Sequence, residues 1–168
     1  MLIGLISDTH IPQQVVGLPA QVSKAFDGVD LILHAGDICA PSVLDELQQV
    51  APVLAARGDD DFFTRYDKRL TQEHVLMIDG LRLQLTHVLP GPSVANSRRG
   101  LNFINYIDEA TDILVFGHTH LARVDPLETV LLVNPGSATL PNYIHRPGTV
   151  GLLTIASGRA EARIVQLG

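Results

Sequence analysis

The chain has 168 residues, 46% of them hydrophobic, and a formal net charge of -6. That size and apolar content suit one domain spanning 1–168 with a sizeable core, and the acidic balance disfavours nonspecific binding to nucleic-acid backbones or acidic membranes. The lone Cys39 excludes an internal disulfide, and no apolar run reaches the ~18 residues of a membrane span, so a cytoplasmic protein that neither crosses nor binds a membrane is expected.

Residues 2–6, Leu-Ile-Gly-Leu-Ile, form an apolar run without polar alternation, as a strand covered on both faces should be. The run leads into Ser7-Asp8-Thr9-His10. Asp8 and His10 are two residues apart at the mouth of a strand, so they can point to one side and share a divalent ion. Residues 11–19 read as a loop, and 20–26 as a helix of about two turns stopped by Asp27-Gly28. Residues 30–34 are a second buried strand; strand, helix and strand within ~30 residues make a βαβ unit with parallel strands. It ends in Ala35-Gly36-Asp37. Residues 41–50 read as a second helix opened by Pro41 or Ser42, and 52–56 as a third strand ending in Arg57-Gly58-Asp59-Asp60-Asp61.

Beyond residue 75 the rhythm changes. Residues 75–78 and 81–86 read as two strands joined by an Asp79-Gly80 hairpin, with His87 at the end of the second. Pro90-Gly91-Pro92-Ser93 is a loop, 101–108 a helix, and 112–116 an apolar strand leading into Gly117-His118-Thr119-His120. The remainder reads as a meander of strands at 130–133, 150–155 and 160–165, separated by Asn134-Pro135-Gly136-Ser137 and the Ser157-Gly158 turn.

Three strands read as parallel each end in an aspartate, and two more end in His87 and in His118 with His120. Ligands of α/β sheets bind beyond the carboxyl ends of strands, so these groups are expected to share one crevice. Asp8, Asp37 and Asp59 held together would repel one another by several kcal/mol at ~4 Å and intermediate dielectric. A metal removes that repulsion. Mixed carboxylate and imidazole donors suit Mn²⁺, Fe, Co²⁺, Ni²⁺ or Zn²⁺, and the absence of thiolates argues against a purely structural zinc site. Donors enough for two ions suggest a bimetallic hydrolytic site, in which ions ~3.5–4 Å apart activate water and hold phosphoryl oxygens.

Asp8-Thr9-His10, Gly36-Asp37, Gly58-Asp59-Asp60-Asp61, His87 and Gly117-His118-Thr119-His120, in that order and spacing, resemble the calcineurin-like metallophosphoesterases. The length and Asn134-Pro135-Gly136-Ser137 are similar to the small single-domain, YfcE-like phosphodiesterase branch. The resemblance covers nearly the whole chain. It implies an α/β four-layer sandwich, with two mixed β-sheets packed face to face and flanked by α-helices. Carried over by position, it makes Asp8, His10, Asp37 and His120 ligands of a first metal, and Asp37, Asp59, His87 and His118 ligands of a second, with Asp37 bridging.

The implied activity is hydrolysis of phosphodiester bonds by a hydroxide activated between two divalent ions, with Mn²⁺ placed first and Ni²⁺, Co²⁺, Fe or Zn²⁺ as alternatives. One departure stands out. The family usually has Gly-Asn where this chain has Gly58-Asp59, so a neutral amide has become a carboxylate. Larger phosphatases of the superfamily follow that Asn with a histidine that protonates the leaving group; here the position is Asp60. The catalytic set is therefore Asp37 with Asp60 or Asp61, or metal-bound water, as the general acid. The expected partner is a small phosphoester, with nucleic acid disfavoured except as a small nucleotide; a homo-oligomer stays open. A phosphomonoesterase is the nearer alternative. A non-catalytic metal-binding or scaffold protein is the other, because the retromer scaffold subunit resembles this fold.

Each of these residues also has an ordinary reading. The strand-end aspartates and histidines could be caps and surface groups, and Asp60 and Asp61 solvated turn residues. His34 sits inside an apolar strand and reads as a hydrogen-bonded core histidine, whereas His74 and His145 read as surface residues without a local partner. Cys39 reads as a small packed side chain. Asn134-Pro135-Gly136-Ser137 is a turn, and part of the substrate rim only by resemblance. Arg98, Arg99 and Arg146 could grip a phosphate bidentately or simply be exposed.

Overall fold

A computed structural model describes residues 1–11, 17–62, 64, 66–89, 107–127 and 129–168 of the chain. The first apolar run is strand β1 (Leu2–Ile6), followed by α1 (Ala20–Ala25), β2 (Leu31–His34), α2 (Pro41–Gln48) and β3 (Val53–Ala56). Each strand in this run is parallel to the one before it: Ile3, Leu5 and Ile6 face Leu31, Leu33 and His34, and Leu33 faces Leu54. Pro41 opens α2 at its first turn, where its missing N–H costs nothing. The short β4 (Leu70–Thr71) adds a further parallel strand beyond β3.

A second sheet begins with β5 (His74–Ile78) and β6 (Leu81–Leu85), joined by Asp79 and Gly80 at φ 49° and 84°. Two consecutive left-handed residues are what a tight two-residue hairpin requires. Strand β7 (Ile113–Val115), β8 (Arg123–Leu127) and β9 (Val130–Asn134) complete it in the order β5-β6-β7-β9-β8, with β6, β7 and β9 parallel. The last two strands, β10 (Thr149–Ala156) and β11 (Arg159–Gln166), return to the first sheet, whose order is β11-β10-β1-β2-β3-β4.

The meander read at the C-terminal end is therefore corrected. β9 pairs with β7 and β8, while β10 lies antiparallel to β1, so successive strands change sheets between residues 134 and 149. The loop read at 90–93, most of the helix read at 101–108, and Arg98 and Arg99 lie outside the described residues; Ile107 and Asp108 are not helical.

Alternation along β1 shows how the layers are held. Ile3 and Leu5 point between the sheets, where they join Leu33, Ala56, Leu83, Leu85, Ile113, Val115 and Val133. Ile6 points outward to the helices, where Val22, Phe26, Val43, Leu44 and Leu47 cover it. The outer face of the second sheet carries Leu114, Phe116 and Leu132, packed with Leu89 and Ile107. At ~25 cal/mol per Å², burial of such side chains contributes about 1.5–3 kcal/mol each. Because β1, β2, β3, β6, β7 and β9 run the same way along a face-to-face pair, their carboxyl ends meet at one edge. Among the described residues, no helix is long and apolar enough to cross a membrane.

His34, at the end of β2, is fully buried; its Nδ1 accepts from the Gly36 N–H at 3.2 Å and its Nε2 lies 3.2 Å from the Thr9 hydroxyl. That fixes the neutral form with the proton on Nε2, and burial pulls the imidazole from 6.5 down to about 4. Between those pH values the unfolded chain binds the extra proton, so stability present above pH 6.5 is lost as pH falls toward 4. Urea denaturation at pH 7 and pH 4.5 should show His34→Gln losing up to about 3 kcal/mol less than wild type on acidification. Equal acid losses in the two proteins would contradict this assignment.

Candidate metal centre

The loops at that edge bring the strand-end side chains together. Asp8 and His10 follow β1, Asp37 follows β2, Asp59 to Asp61 follow β3, His87 follows β6, and His118 and His120 follow β7. Donor atoms of Asp8, His10 and His120 lie within 4.8 Å of one another, as do those of Asp59, His87 and His118, of Asp8, Asp37 and His87, and of His10, Asp37 and Asp60. These overlapping groups contain all seven expected ligands. Asp37 Oδ2 is 3.4 Å from both His10 Nε2 and His87 Nε2, a central position between the two histidines.

The backbone reaches this arrangement at a cost. Asp8, His10, Asp37, Cys39, His118 and His120 all have φ between 42° and 69°. Asp and His tolerate the left-handed region better than most side chains, yet each such residue stores about 1–3 kcal/mol that its surroundings must offset. Hydrogen bonds between loops supply part of that: Asp8 N–H to Gly36 O and His10 N–H to Asp37 O, both at 2.9 Å. Close approach also dictates residue type. A Cβ on Gly58 would sit 2.2 Å from Asp37 N and Oδ1, and one on Gly117 would sit 2.7 Å from Asp8 Oδ2.

Each carboxylate is in a different setting. Asp8 is fully buried, and burial raises its carboxyl against the opposing Ser7 hydroxyl at 2.5 Å and the nearby His87 and His120. The His118 N–H donates to it at 3.0 Å. Burial acts on Asp37 the same way but is outweighed by His87, by the Asp60 N–H at 2.9 Å and by His10, which together bring it to about 2. Asp59 is mostly exposed, with Oδ2 3.2 Å from His118 Nδ1 and 3.9 Å from His87 Nε2. Asp60 is at the rim with Oδ2 3.4 Å from His10 Nδ1.

Asp61 differs from its neighbours in sequence. It is buried, and its two oxygens accept from the N–H groups of Ile38 at 2.8 Å, Cys39 at 3.0 Å, Asp37 at 3.1 Å and Gly58 at 2.7 Å, and from the Thr64 hydroxyl at 3.1 Å. It is neither a solvated turn residue nor placed to hand a proton to a substrate. It ties the loop after β2 to the loop after β3.

The imidazoles are aimed by backbone carbonyls. His87 Nδ1 donates to Ala35 O at 2.7 Å, and His120 Nδ1 to Leu140 O at 2.9 Å, which turns each Nε2 toward the carboxylates. This is the arrangement in which a metal-ligating histidine is held by a second group. His87 Nε2 is buried and makes no hydrogen bond among the described residues. Its nearest partner is Asp37 Oδ2 at 3.4 Å, a long ion pair when the ring is protonated and a lone pair turned on two carboxylates when it is neutral, and a cation at Nε2 relieves either arrangement. His10 Nε2 and His120 Nε2 lie 3.1 Å apart, close to the ~3.0 Å separation of two nitrogens bound at right angles to one ion at ~2.1 Å. The donor set fits divalent cations.

Several supporting residues went unread or misread in the sequence. Asn134 and Ser137 are fully buried beneath the centre and are not its rim: Asn134 Nδ2 donates to Gly117 O at 2.8 Å, and the Ser137 hydroxyl to Asp8 O at 2.6 Å. His74 is half-buried, with Nε2 2.9 Å from Ala55 O, so it links the sheets. Tyr143, 70% exposed, stacks on His120 at 4.4 Å. Cys39 Sγ is 3.9 Å from His10 Nδ1, but burial and the charges of Asp61, Asp37 and Asp60 push its thiol up to about 12, so it stays a thiol.

Residues 1–158 match the calcineurin-like phosphoesterase superfamily domain. A probable metallophosphoesterase of Methanothermobacter thermautotrophicus is 36% identical over 168 residues, all of this chain and 94% of its own. One of Methanocaldococcus jannaschii is 35% identical over 144 residues, 84% of this chain and 70% of its own. The fold is shared with Vps29 of Entamoeba histolytica in complex with Zn²⁺, at TM-score 0.74, 23% identity and full coverage of both chains. It is shared too with an archaeal phosphodiesterase, at TM-score 0.70, 22% identity, 98% of this chain and 100% of that one.

Two outcomes follow from this geometry. Asp61→Asn leaves backbone N–H groups facing an amide NH₂, and the loss of charge-assisted bonds should cost about 2–4 kcal/mol in urea denaturation; a loss under about 0.5 kcal/mol, the range of ordinary surface substitutions, would remove Asp61 from its bracing role. The second concerns His87. Burial would lower its imidazole, but Asp37, the Ala35 carbonyl and Asp8 bring it up to about 9. A cation bound at Nε2 must displace that proton, so affinity for Mn²⁺ or Zn²⁺ should climb roughly tenfold per pH unit up to about pH 9. Calorimetry in buffers of different ionisation enthalpy measures the released proton, and uptake without release would place the cation elsewhere.

Proposed function

The chain belongs to the calcineurin-like phosphoesterase superfamily, and from that premise we propose that it is a phosphodiesterase working with two divalent cations. Asp8, His10, Asp37 and His120 would hold one, and Asp37, Asp59, His87 and His118 the other, with Asp37 shared. The observation that carries this reading is the convergence of seven aspartate and histidine donors in overlapping groups, with the buried Nε2 of His87 held by no hydrogen bond between Asp37 and Asp59. Such ions, when bound, lower the pKa of water and offset charge on phosphoryl oxygens.

The chain's own residues prepare that chemistry. Asp37, held well below the usual carboxylate range, stays ionised at any working pH and can serve two cations. His120 and His87 cannot swing away, because Leu140 and Ala35 hold their far nitrogens. Asp61, fully engaged by N–H donors, is not placed to protonate the departing alcohol, whereas Asp60, exposed at the rim with Oδ2 3.4 Å from His10 Nδ1, is a candidate for that role. The other source of that proton is water, which reaches the half-exposed His118 side of the centre.

Purified protein assayed on bis(4-nitrophenyl) phosphate and 4-nitrophenyl phosphate should hydrolyse the diester faster with at least one of Mn²⁺, Ni²⁺, Co²⁺ or Zn²⁺. No hydrolysis with any of them would leave a scaffold of the same fold. Faster monoester hydrolysis would make it a phosphomonoesterase. Asp37→Ala should cost most, since it removes a donor from both cation groups.

Asp59 allows a sharper test. Three carboxylates against two dications leave a net charge of about +1, compared with about +2 if Asn stood at position 59. Asp59→Asn should weaken retention of one cation and raise turnover when metal is saturating. Stoichiometry and rate are read on the same titrated samples; identical values in both proteins would put Asp59 outside the donor set.

A further inference from the structure

A cleft of about 570 Å³ opens beside the metal centre and shares His10 with it. Its apolar walls are Ile11, Leu18, Pro19 and Pro147, and His145 and Arg146 are among its polar groups, with Thr9, His10 and Thr139. That volume is in the range of small-ligand sites, which are mostly apolar with a few placed polar groups. Both walls are pinned. On one side Arg146 N–H donates to Thr139 O and Gly148 N–H to Ala138 O, both at 3.0 Å, and the Thr139 hydroxyl donates to Thr9 O. On the other, Leu18 N–H donates to Glu46 Oε2 at 2.8 Å.

The charge pattern is equally informative. Arg69, Arg82 and Arg123 are each paired with aspartates. Arg146, like the exposed Arg159 and Arg163, makes no ion pair among the described residues, but unlike them it lines a cleft that opens beside a centre dense in carboxylates. An unpaired guanidinium beside an apolar wall recognises an anion carried on an apolar body.

We propose that this cleft seats one organic arm of the phosphoester substrate, a ring-sized apolar group bearing a second anionic group that pairs with Arg146. The proposal rests on the phosphoesterase reading and names its substrate class: phosphoesters of bulky, anion-bearing alcohols, in preference to those of simple alkyl alcohols. His10 is common to the two sites: its ring nitrogens lie at the metal centre and the residue lines the cleft. The apolar body lies on Leu18, Pro19 and Pro147, and the reacting phosphoryl group stays at the cations.

Zn²⁺-loaded protein is titrated calorimetrically with methylphosphonate, phenylphosphonate and 4-phosphonobenzoate, none of which can be hydrolysed. Phenylphosphonate should bind roughly tenfold tighter than methylphosphonate, as burial of a ring on apolar walls predicts, and 4-phosphonobenzoate tighter again. His145→Trp, a change at an exposed side chain, narrows the cleft and should abolish the phenyl-to-methyl ratio; Leu18→Ala, which strips a wall, should lower it. Arg146→Ala should abolish the carboxylate gain while keeping the phenyl gain. Equal affinities for the three probes, or ratios unmoved by all three variants, would overturn the cleft assignment alone. Failure of every phosphonate to bind would overturn the phosphoesterase reading and this inference with it.

Discussion

The carboxylate of Asp61 is the constraint on which the centre depends. The loop after β2 must present Asp37 with φ 57° and Cys39 with φ 68°, and the loop after β3 must bring Gly58 close enough for its N–H to reach the same carboxylate at 2.7 Å. Such loops have no strand partner for their N–H groups, and buried N–H groups left unpaired cost about 1–3 kcal/mol each. One carboxylate satisfies four of them. With the two loops fixed, Asp37 Oδ1 meets the Asp60 N–H, and Oδ2 is left toward His10 and His87.

Two buried histidines at neighbouring strand ends show how environment divides roles. His34 is held by a hydroxyl and an N–H, makes no ion pair or hydrogen bond with a carboxylate among the described residues, and burial outweighs the pull of Asp61 and Asp37 at a distance, so it is kept neutral down to about 4. His87 is also buried, but Asp37 stands 3.4 Å from its Nε2, and its pKa moves the other way, to about 9. Desolvation acts on both with the same sign, so the carboxylate decides the outcome. The first is a structural link between β1 and β2. The second carries a charge that a cation can replace.

Much of this was legible in the sequence, for identifiable reasons. Continuous apolar runs mark β1, β2 and β3, and an Asp-Gly pair marks the β5–β6 hairpin, because those signals are local. Strand β4 has two residues and β8 contains Pro126, tolerable only because β8 is an edge strand. The pairing of β10 with β1 joins residues some 150 positions apart, as in Leu2 with Thr154, and no local pattern encodes it. The convergence of the strand-end aspartates and histidines was legible because their types and their places at strand ends mark one crevice. Asp59, Asp60 and Asp61 were not separable: three identical residues in a turn face a histidine of the centre, the rim and the protein interior, and only the path of the backbone assigns which is which. Asn134 and Ser137 were misplaced for the same reason, since a turn motif does not say which side of a loop it supports.

The centre is not symmetrical, and the asymmetry has a consequence for how cations would be held. Asp8, Asp37 and His120 are buried, and His10 is nearly so, whereas Asp59 and His118 are 66% and 47% exposed at the side chain. Coulomb attraction at a given distance grows as the surroundings lose water, and salt screens exposed charges far more than buried ones. The donors around Asp8 and His120 are also fixed by Ser7, the His118 N–H and Leu140, so little side-chain freedom is lost when a cation arrives. The Asp59 carboxylate has no backbone donor of that kind among the described residues and must be ordered as it binds. On the proposed reading, one cation is therefore a resident of the fold and the other exchanges with solvent. The carboxylate at position 59, in place of an amide, strengthens the half of the centre where geometry alone does least.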